Sequence, residues 1–367
     1  MAQRVESPPL VTPLLARCTM TDTPRPTIRD VARRAEVSIG TVSAVINNSG
    51  RPVAARTRER VLQAIADLGF EPSNAARSLK SRRISSIGFI VPDLGNAFFA
   101  DVAEGIQLVL DQSDFLLVLC LTWSDTAREE HYAQVLRTQR LDGVIYLSGT
   151  GRPSPSLQAL ASRGAMVFVD ECLPGIEAPF ISAQNRQGAA AIARHVLACG
   201  HRKLLLLGGP PGLWTSEQRL AGYHDACREQ GLDPAQLPLI EGDYTERSGE
   251  HAAQQILAQP RDQWPTAVLC ANDLMAIGLI RACQQQGIAV PEVLSVTGFD
   301  DISAAARISP PLTTVRQPGH EMGAAAAHLL LHRLGYLAEP PVQEAFPATV
   351  MLRGSVREMT PGGGSRG

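Results

Sequence analysis

The sequence predicts an α/β protein in which a small helical head precedes a larger, doubly wound parallel α/β body. Three observations predict this organisation: helical periodicity over residues 27–70, alternation of strands with helices from residue 84 onward, and a change in charge between the two regions. With 367 residues, 44% of them hydrophobic, the chain is long enough for about two or three domains with apolar cores.

The head is predicted to contain three short helices. Thr27 can cap the first, IRDVARRA, whose apolar residues recur at spacings of three and four. A tight turn at Glu36 follows, Ser38 can cap the second helix, IGTVSAVIN, and Thr57 can open the third, RERVLQAIADL. Two short helices joined by a tight turn and braced by a third form a helix-turn-helix, although other small helical bundles give a similar pattern.

In the body, most predicted strands are continuous apolar runs, which are typical of strands buried on both faces. They are Ile84–Val91, Phe115–Leu121, Gly143–Leu147, Met166–Asp170, Lys203–Leu207, Ala267–Ala271 and Leu294–Gly298. The amphipathic helices between them include Phe99–Leu110, Arg186–Ala198, Glu217–Gln230, Arg247–Leu257, Leu274–Gln285 and Glu321–Leu334. So many alternating units predict two parallel sheets with a cleft at the carboxyl ends of the strands.

Charge separates the two regions. Residues 25–83 contain 12 Lys and Arg against 5 Asp and Glu, a net of +7, whereas residues 84–367 contain 20 against 29, a net of −9. The whole chain has a net charge of −2, which argues against a histone-like protein coated in cation. A basic head on an acidic body indicates a nucleic-acid-binding module joined to a domain with another task.

Composition also excludes several classes of protein. No apolar run approaches the ~20 residues that a membrane span needs, and prolines and charges break up the first twenty residues, which disfavours a secretory signal. The seven cysteines form no C-x-x-C pair, so neither a disulfide framework nor a zinc site is predicted. We therefore expect a cytoplasmic, nucleoid-associated protein in which Cys120 and Cys270 are small buried hydrophobes.

No catalytic constellation is visible. The chain has no G-x-G-x-x-G that opens a helix, no G-x-x-x-x-G-K-[ST] and no H-E-x-x-H, and its eight histidines are scattered. We therefore predict no catalytic residues, no metal site and no cofactor.

The start of the second helix has residue types that suit the major groove. Ser38, Ile39, Gly40, Thr41 and Ser43 are short enough for close approach, and they carry polar and methyl groups that can read base edges. The alternative is that the isoleucine packs and the hydroxyls only cap the helix. The later segment NAARSLK is too short to be a stable helix alone and lies between head and body, so it is predicted to fold when DNA holds it.

Two stretches, TIRDVARRAEVSIGTVSAVINN and TRERVLQAIADLGFEPSNAARSLKSRRISSIGFIVPDLGNAFF, resemble the head, hinge and first strand of the LacI/GalR family of bacterial transcriptional regulators. The resemblance continues in the same order through CGHRKLLLLGG, QRLAGYHDA, AVLCANDLMAIGLIRA, SVTGFDDI and PPLTTVRQP. It implies a hinge helix after the head and a two-subdomain body like that of the periplasmic binding proteins.

The resemblance also implies that the second helix enters the major groove of operator DNA. It assigns DNA contacts to Thr27, Ser38, Ile39, Gly40, Thr41, Ser43, Ala44, Asn47, Arg77, Leu79 and Lys80. Ala44 departs from the family, which usually has Arg there, so the operator sequence stays open. Leu79 matches a residue that wedges into a minor-groove step; the alternative is a packing role.

An effector site between the two subdomains is implied as well. Its contacts fall on Asp93, Asn96, Phe98, Arg219, Tyr244, Asn272 and Asp300. An aromatic ring, a guanidinium and several carboxylates and carboxamides suit a small polyhydroxylated or heterocyclic ligand. Each residue also has a simpler interpretation: Asp93 and Asn272 as helix caps, and Phe98 as part of the core.

The predicted domain order follows from these patterns and the resemblance. Disordered tails occupy 1–24 and 357–367, the head 25–70, the hinge 71–83, one subdomain 84–184 with 318–343, and the other 185–317 with 344–356. Met20 directly precedes the first patterned segment, and we hypothesise that translation starts there; an intact mass that includes residues 1–19 would contradict this.

The predicted function is a homodimeric regulator, expected to be a repressor, that binds a pseudo-palindromic operator in double-stranded DNA under allosteric control by the effector. Whether the effector is an inducer or a corepressor stays open. One alternative is a small-molecule-binding protein of the periplasmic type without a DNA function. The other is a sugar-processing α/β enzyme, which should show a nucleophile, metal site or dinucleotide loop.

Overall fold

The computed structural model describes residues 27–46, 53–68, 85–139, 141–340 and 343–359. The chain forms two compact units that divide between Arg83 and Ile84. The predicted hinge and the N-terminal tail lie outside the described residues, as does most of the C-terminal tail.

The first unit contains the three predicted helices, α1 (Ile28–Arg34), α2 (Ile39–Ile46) and α3 (Ala55–Leu68). Helix α1 begins where the Asp30 carboxylate accepts hydrogen bonds from the amide and the hydroxyl of Thr27, at 2.9 and 2.6 Å. Glu36 has a φ of 52° and makes the turn into α2.

The core of this unit is a small apolar cluster to which all three helices contribute. Val31, Val42 and Val61 are each fully buried, one from each helix. Helix α3 begins before Thr57, so this residue lies inside the helix instead of opening it.

The second unit alternates strands and helices. In chain order the elements are β1 (Ser86–Val91), α4 (Ala97–Asp111), β2 (Leu116–Leu121), α5 (Thr126–Thr138), β3 (Gly143–Tyr146), α6 (Pro155–Ala161), β4 (Met166–Val169), β5 (Phe180–Ala183), α7 (Asn185–Ala198), β6 (Leu204–Gly208), α8 (Trp214–Glu229), β7 (Leu239–Glu241), α9 (Glu246–Leu257), β8 (Ala267–Cys270), α10 (Asp273–Gln285), β9 (Ser295–Thr297), β10 (Thr314–Arg316), α11 (Gly319–Arg333), β11 (Ala345–Phe346) and β12 (Thr349–Met351). Two 3₁₀ turns cover Pro234–Gln236 and Arg261–Gln263.

Six strands form the sheet of the first lobe, in the order β11-β5-β4-β3-β1-β2, with every neighbouring pair parallel. Helices α4 and α11 cover one face and α5 and α6 the other. Helices α4 and α11 pack closely because both have glycine at the crossing. A Cβ on Gly105 would lie 2.0 Å from the carbonyl oxygen of His320, and one on Gly323 would lie 2.1 Å from that of Val102.

Four parallel strands form the sheet of the second lobe, in the order β7-β6-β8-β9. Helices α9 and α10 lie on one face, and α7 and α8 lie on the other. Strands β10 and β12 make a separate antiparallel pair; isolated bridges join Thr313 to Thr297 at the end of β9 and Arg316 to Asp300 just after it. Each lobe is therefore doubly wound, which confirms the predicted fold class.

All seven predicted strands are present, and Cys120 and Cys270 are buried as predicted. The sequence did not reveal β5, β7, β10, β11 and β12, because they have only two to four residues each and lack a long apolar run.

One domain boundary differs from the prediction. Ala345–Phe346 was expected in the second subdomain, whose last segment was drawn from residue 344, but it pairs with β5 in the first sheet. The last crossing between the lobes therefore follows Phe346. No helix within the described ranges is long and apolar enough to cross a membrane.

Candidate functional site

The start of α2 is a candidate interface on the first unit. The Ser38 hydroxyl oxygen accepts a hydrogen bond from the amide of Thr41 at 3.1 Å and lies 2.9 Å from the hydroxyl oxygen of Thr41. Both hydroxyls therefore take part in the cap, as one interpretation expected. Beside them, Ile39 is 46% exposed and Gly40 is exposed, so an apolar side chain stands in water next to polar groups.

Free positive charge lies on the same unit. Arg33, Arg34 and Arg60 form ion pairs with Asp30, Asp67 and Glu36. By contrast, Arg29, Arg56 and Arg58 form no ion pair with any residue that the structure describes, so their charges are available to phosphates.

The other residues predicted to contact DNA differ in their exposure and contacts. Thr27 bonds to Asp30 and helps to start α1. Ala44 is only 5% exposed, so its position does not support the predicted base contact. Ser43 is partly exposed. Asn47, Arg77, Leu79 and Lys80 lie outside the described residues.

In the second unit, a cavity of about 690 Å³ lies between the two lobes. The first lobe contributes the segments that follow β1, β2, β3 and β4, and the second lobe contributes those that follow β6 and β7. Because all these segments leave the carboxyl ends of parallel strands, the cavity lies where the topology predicts a ligand site.

Three of the seven predicted effector residues line the cavity: Asp93, Asn96 and Tyr244. The Asp93 carboxylate accepts hydrogen bonds from the amides of Gly95 and Asn96, at 2.6 and 3.2 Å, and so orders the loop after β1. The Tyr244 ring lies against Gly209, where a Cβ would be 2.3 Å from the ring Cζ. The glycine is thus required for the tyrosine to occupy its place.

Arg219 is buried beside the cavity instead of lining it. Its Nε donates to Asn185 at 2.8 Å, its Nη1 donates to the carbonyl oxygen of Ala271 at 2.7 Å, and its guanidinium lies 4.0 Å from the centre of the Phe299 ring. Nη1 is also 3.6 Å from a carboxylate oxygen of Asp300, and both side chains are less than 5% exposed. The guanidinium is therefore held on several sides.

Asp300 joins the two lobes. Its carboxylate accepts a hydrogen bond from Asn96 of the first lobe at 3.2 Å and from Gln317 at 2.8 Å. Burial raises the pKa of Asp300, and the nearby Arg219 opposes that shift. The backbone of Asp300 has a φ of 115°, a conformation that costs a non-glycine residue about 1–3 kcal/mol and that these bonds help to hold.

Phe98 and Asn272 occupy the positions expected from their simpler interpretations. Phe98 is 3% exposed and packs in the first-lobe core, while its neighbour Phe99 lines the cavity. Asn272 caps α10 by accepting from the amide of Met275 at 3.0 Å, and it donates to the carbonyl oxygen of Tyr244 at 2.9 Å. It therefore acts on the cavity through the tyrosine backbone.

The sequence reasoning missed two acidic residues directly after β4. Asp170 is 5% exposed and lines the cavity, and its Oδ1 has no hydrogen-bond partner among the described residues. Burial raises the pKa of Asp170 to about 7 and that of Glu171 to about 8. The signal was present, because Asp170 ends a predicted strand at the edge where the cleft was expected.

Comparison with known proteins identifies the family. Residues 27–73 match the model for bacterial regulatory proteins of the lacI family, and residues 193–356 match that for a periplasmic binding protein-like domain. The HTH-type transcriptional repressor PurR of Photobacterium profundum is 37% identical over 312 residues, which are 84% of this chain and 92% of that protein. The chain belongs to the lacI family of bacterial regulatory proteins.

Two further matches support this membership in the lacI family. The ribose operon repressor of Haemophilus influenzae is 33% identical over 330 residues, 90% of this chain and 98% of the relative. A crystal structure of the Lac repressor dimer bound to operator and the anti-inducer ONPF superposes with a TM-score of 0.73 at 28% identity, covering 90% of this chain and 99% of that one. The predicted resemblance is thus confirmed, and the match of the head disfavours a binding protein without a DNA function.

Proposed function

We propose that this lacI-family protein is a repressor that binds a pseudo-palindromic operator as a homodimer and releases or tightens its hold when a small effector binds in the body. The observation that carries the proposal is the 690 Å³ cavity, lined from both lobes, in a chain whose head belongs to the same family. The relatives named above are repressors, and we propose no catalytic activity. This function places the protein on DNA in the cytoplasm.

On the DNA side, α2 lies in the major groove. Ile39 and Gly40 make close contacts with bases because one offers an exposed methyl surface and the other permits close approach. Phosphates pair with Arg29, Arg56 and Arg58, which form no ion pair among the described residues. From the family resemblance, Asn47, Arg77, Leu79 and Lys80 extend this interface into the hinge.

On the effector side, the cavity favours a ligand with several hydrogen-bond donors. The orphaned Oδ1 of Asp170 needs one donor, and Trp123, which is 57% exposed, offers a flat apolar face for a sugar or heterocyclic ring. The carboxylates that line the cavity are Asp93, Asp170, Glu171, Asp243 and Glu246. Among the described lining residues Arg247 is the single basic one, so neutral or cationic ligands are favoured over phosphorylated ones.

Allosteric control follows from the position of the ligand between the lobes. The bond from Asn96 to Asp300 crosses the cleft, so a ligand that changes the separation of the lobes must change this bond. An effector shifts the equilibrium only by its difference in affinity for the open and closed arrangements.

The free edge of the first sheet supports the homodimer. Strand β2 is the last strand of its sheet, and Leu116, Val118 and Leu119 on it are 56%, 38% and 43% exposed. Leu108 of α4 is 51% exposed. An exposed apolar edge strand is unfavourable in water, and a second copy of the chain would cover it.

A gel shift with DNA from upstream of the protein's own gene tests the proposal. We expect a specific complex that a sugar or nucleobase alters, and a thermal-shift screen of such compounds should show stabilisation that rises with ligand concentration. Ligand binding without any specific DNA complex would instead indicate a binding protein of the periplasmic type.

A further inference from the structure

The start of α8 is capped by a residue of the opposite lobe. Leu213, which precedes the helix, forms no side-chain cap. Instead, Glu171 accepts a hydrogen bond from the amide of Trp214 at 2.6 Å on one carboxylate oxygen. Its other oxygen accepts from the amide and the hydroxyl of Thr215, at 3.2 and 2.8 Å. A carboxylate there meets both the unpaired amides and the positive end of the helix dipole.

Two other contacts lie on the same seam between the lobes. The rings of Phe180, on β5, and Trp214 meet edge to face, with centroids 5.0 Å apart. The backbones also touch, because a Cβ on Gly151 of the first lobe would lie 2.5 Å from the carbonyl oxygen of Gly212 in the second. Glu171 is thus at the centre of a direct lobe-to-lobe contact.

The environment of Glu171 makes this contact conditional on the lobes staying together. Glu171 is 2% exposed, and its titratable neighbours are the carboxyl of Asp170, the thiol of Cys172 and the phenols of Tyr146 and Tyr244. None of these is a cation, so the donors of α8 are what compensates the buried carboxyl. If the lobes part, α8 loses its cap and Glu171 regains water.

We propose that Glu171 is a positioning residue for the effector cavity, a latch between the lobes that caps α8 and thereby favours the closed arrangement. Helix α8 carries Thr215, which lines the cavity, and Arg219 one turn later, so the latch fixes both relative to the first lobe. The inference rests on the proposed function, because closure of the lobes has a regulatory role only if an effector binds between them.

Hydrogen exchange of the full chain, without DNA or effector, tests the latch. In Glu171→Ala we expect exchange to become faster by about tenfold in peptides from both walls, residues 210–217 and 147–152, because both lose cover when the lobes part. The amides of Gly149, Thr150 and Gly151 are hydrogen-bonded within the first lobe and give that wall a measurable baseline. Exchange in Glu171→Gln, which keeps one acceptor oxygen, should be intermediate between that of the wild type and that of Glu171→Ala.

The matched control is Glu217→Ala, which removes an exposed acid from the first turn of the same helix. It should leave the hydrogen exchange of the peptides from both walls unchanged. A purely local cap would speed exchange only at the start of α8, and an unchanged first-lobe wall in Glu171→Ala would therefore overturn the proposal.

Thr215→Val tests the same contact from the second lobe, and it can be used if Glu171→Ala does not fold. It removes one of the three donors, so we expect a smaller increase of about threefold in both walls, and no further increase when it is added to Glu171→Ala. Independent, additive effects would contradict the latch. Because this experiment uses no DNA, a negative result for the latch would not affect the gel-shift test of the repressor function.

Discussion

Two helices in this protein begin in opposite ways. Helix α2 of the head has a local cap, Ser38, directly before its first residue. Helix α8 of the body takes its cap from Glu171, in the other lobe and 43 residues earlier in the chain. A local cap lets a helix keep its form wherever its segment moves, whereas a distant cap holds in only one arrangement. The first suits a head that presents a helix to a separate partner, and the second suits a cleft that opens and closes.

The largest effect is expected where the body depends on distant partners. Arg219→Met should lower the free energy of unfolding of the body by about 3–5 kcal/mol, because Asp300 is left buried without its cation. Calorimetry of the full chain measures this. Arg186→Ala is the control, since Arg186 pairs with Asp225 at 2.6 Å but is half exposed, and its loss should cost much less. Equal losses would show that distant contacts do not dominate the body.

The two units should also respond to pH with opposite signs. In the body, burial raises the pKa of Asp170 to about 7 and that of Glu171 to about 8, so these two groups hold more protons in the folded body than in the unfolded chain between roughly pH 4 and 8. Their contribution to the free energy of unfolding of the body should therefore fall as the pH rises through this range.

In the head the hydrogen bonds from Thr27 lower the pKa of Asp30, so that contribution is lost only as the pH falls below the usual aspartate range. Melting curves at about pH 2.5 and 3.5 for the head, and at about pH 5, 6.5 and 8 for the body, test the contrast. Asp170→Asn should flatten the dependence of the body and raise its melting temperature at pH 8. A pH dependence of the body that Asp170→Asn leaves unchanged would refute the assignment.

A smaller effect is expected at the local cap. Ser38→Ala should destabilise the head by about 1 kcal/mol, through loss of the acceptor for the amide of Thr41, and leave the melting of the body unchanged. Hydrogen exchange of head peptides in the full chain measures it. Thr57→Ala, at the third residue of α3, should change the head by less than about 0.5 kcal/mol.

The smallest effect on stability, with a clear effect on binding, is expected at Ile39. Because its side chain is 46% exposed, Ile39→Ala should leave the head stable but weaken operator binding by about fivefold to tenfold. Fluorescence anisotropy at fixed salt compares it with Leu62→Ala, which changes an apolar residue on α3 that is 53% exposed. Equal operator affinities for the two variants would contradict the proposed contact of α2 with the operator.

The comparison also explains what the sequence could predict. Ser38 was recognised because its role depends on residues three positions away, and Asp93 and Tyr244 because the family resemblance assigns effector contacts to them. Glu171 was missed because its partners are distant in sequence. Phe98 was assigned to the cavity in place of Phe99, since adjacent helical residues point about 100° apart and the sequence does not reveal which one faces inward.

The return of the chain to the first lobe has a consequence for biosynthesis. Helix α11 and strand β11 complete the first sheet, yet they follow the whole second sheet in the sequence. On the ribosome, the head can therefore finish folding first, while both lobes wait for the last part of the chain, the first lobe for α11 and β11 and the second lobe for β12. A chain that ends before α11 would therefore contain a folded head and an incompletely folded body.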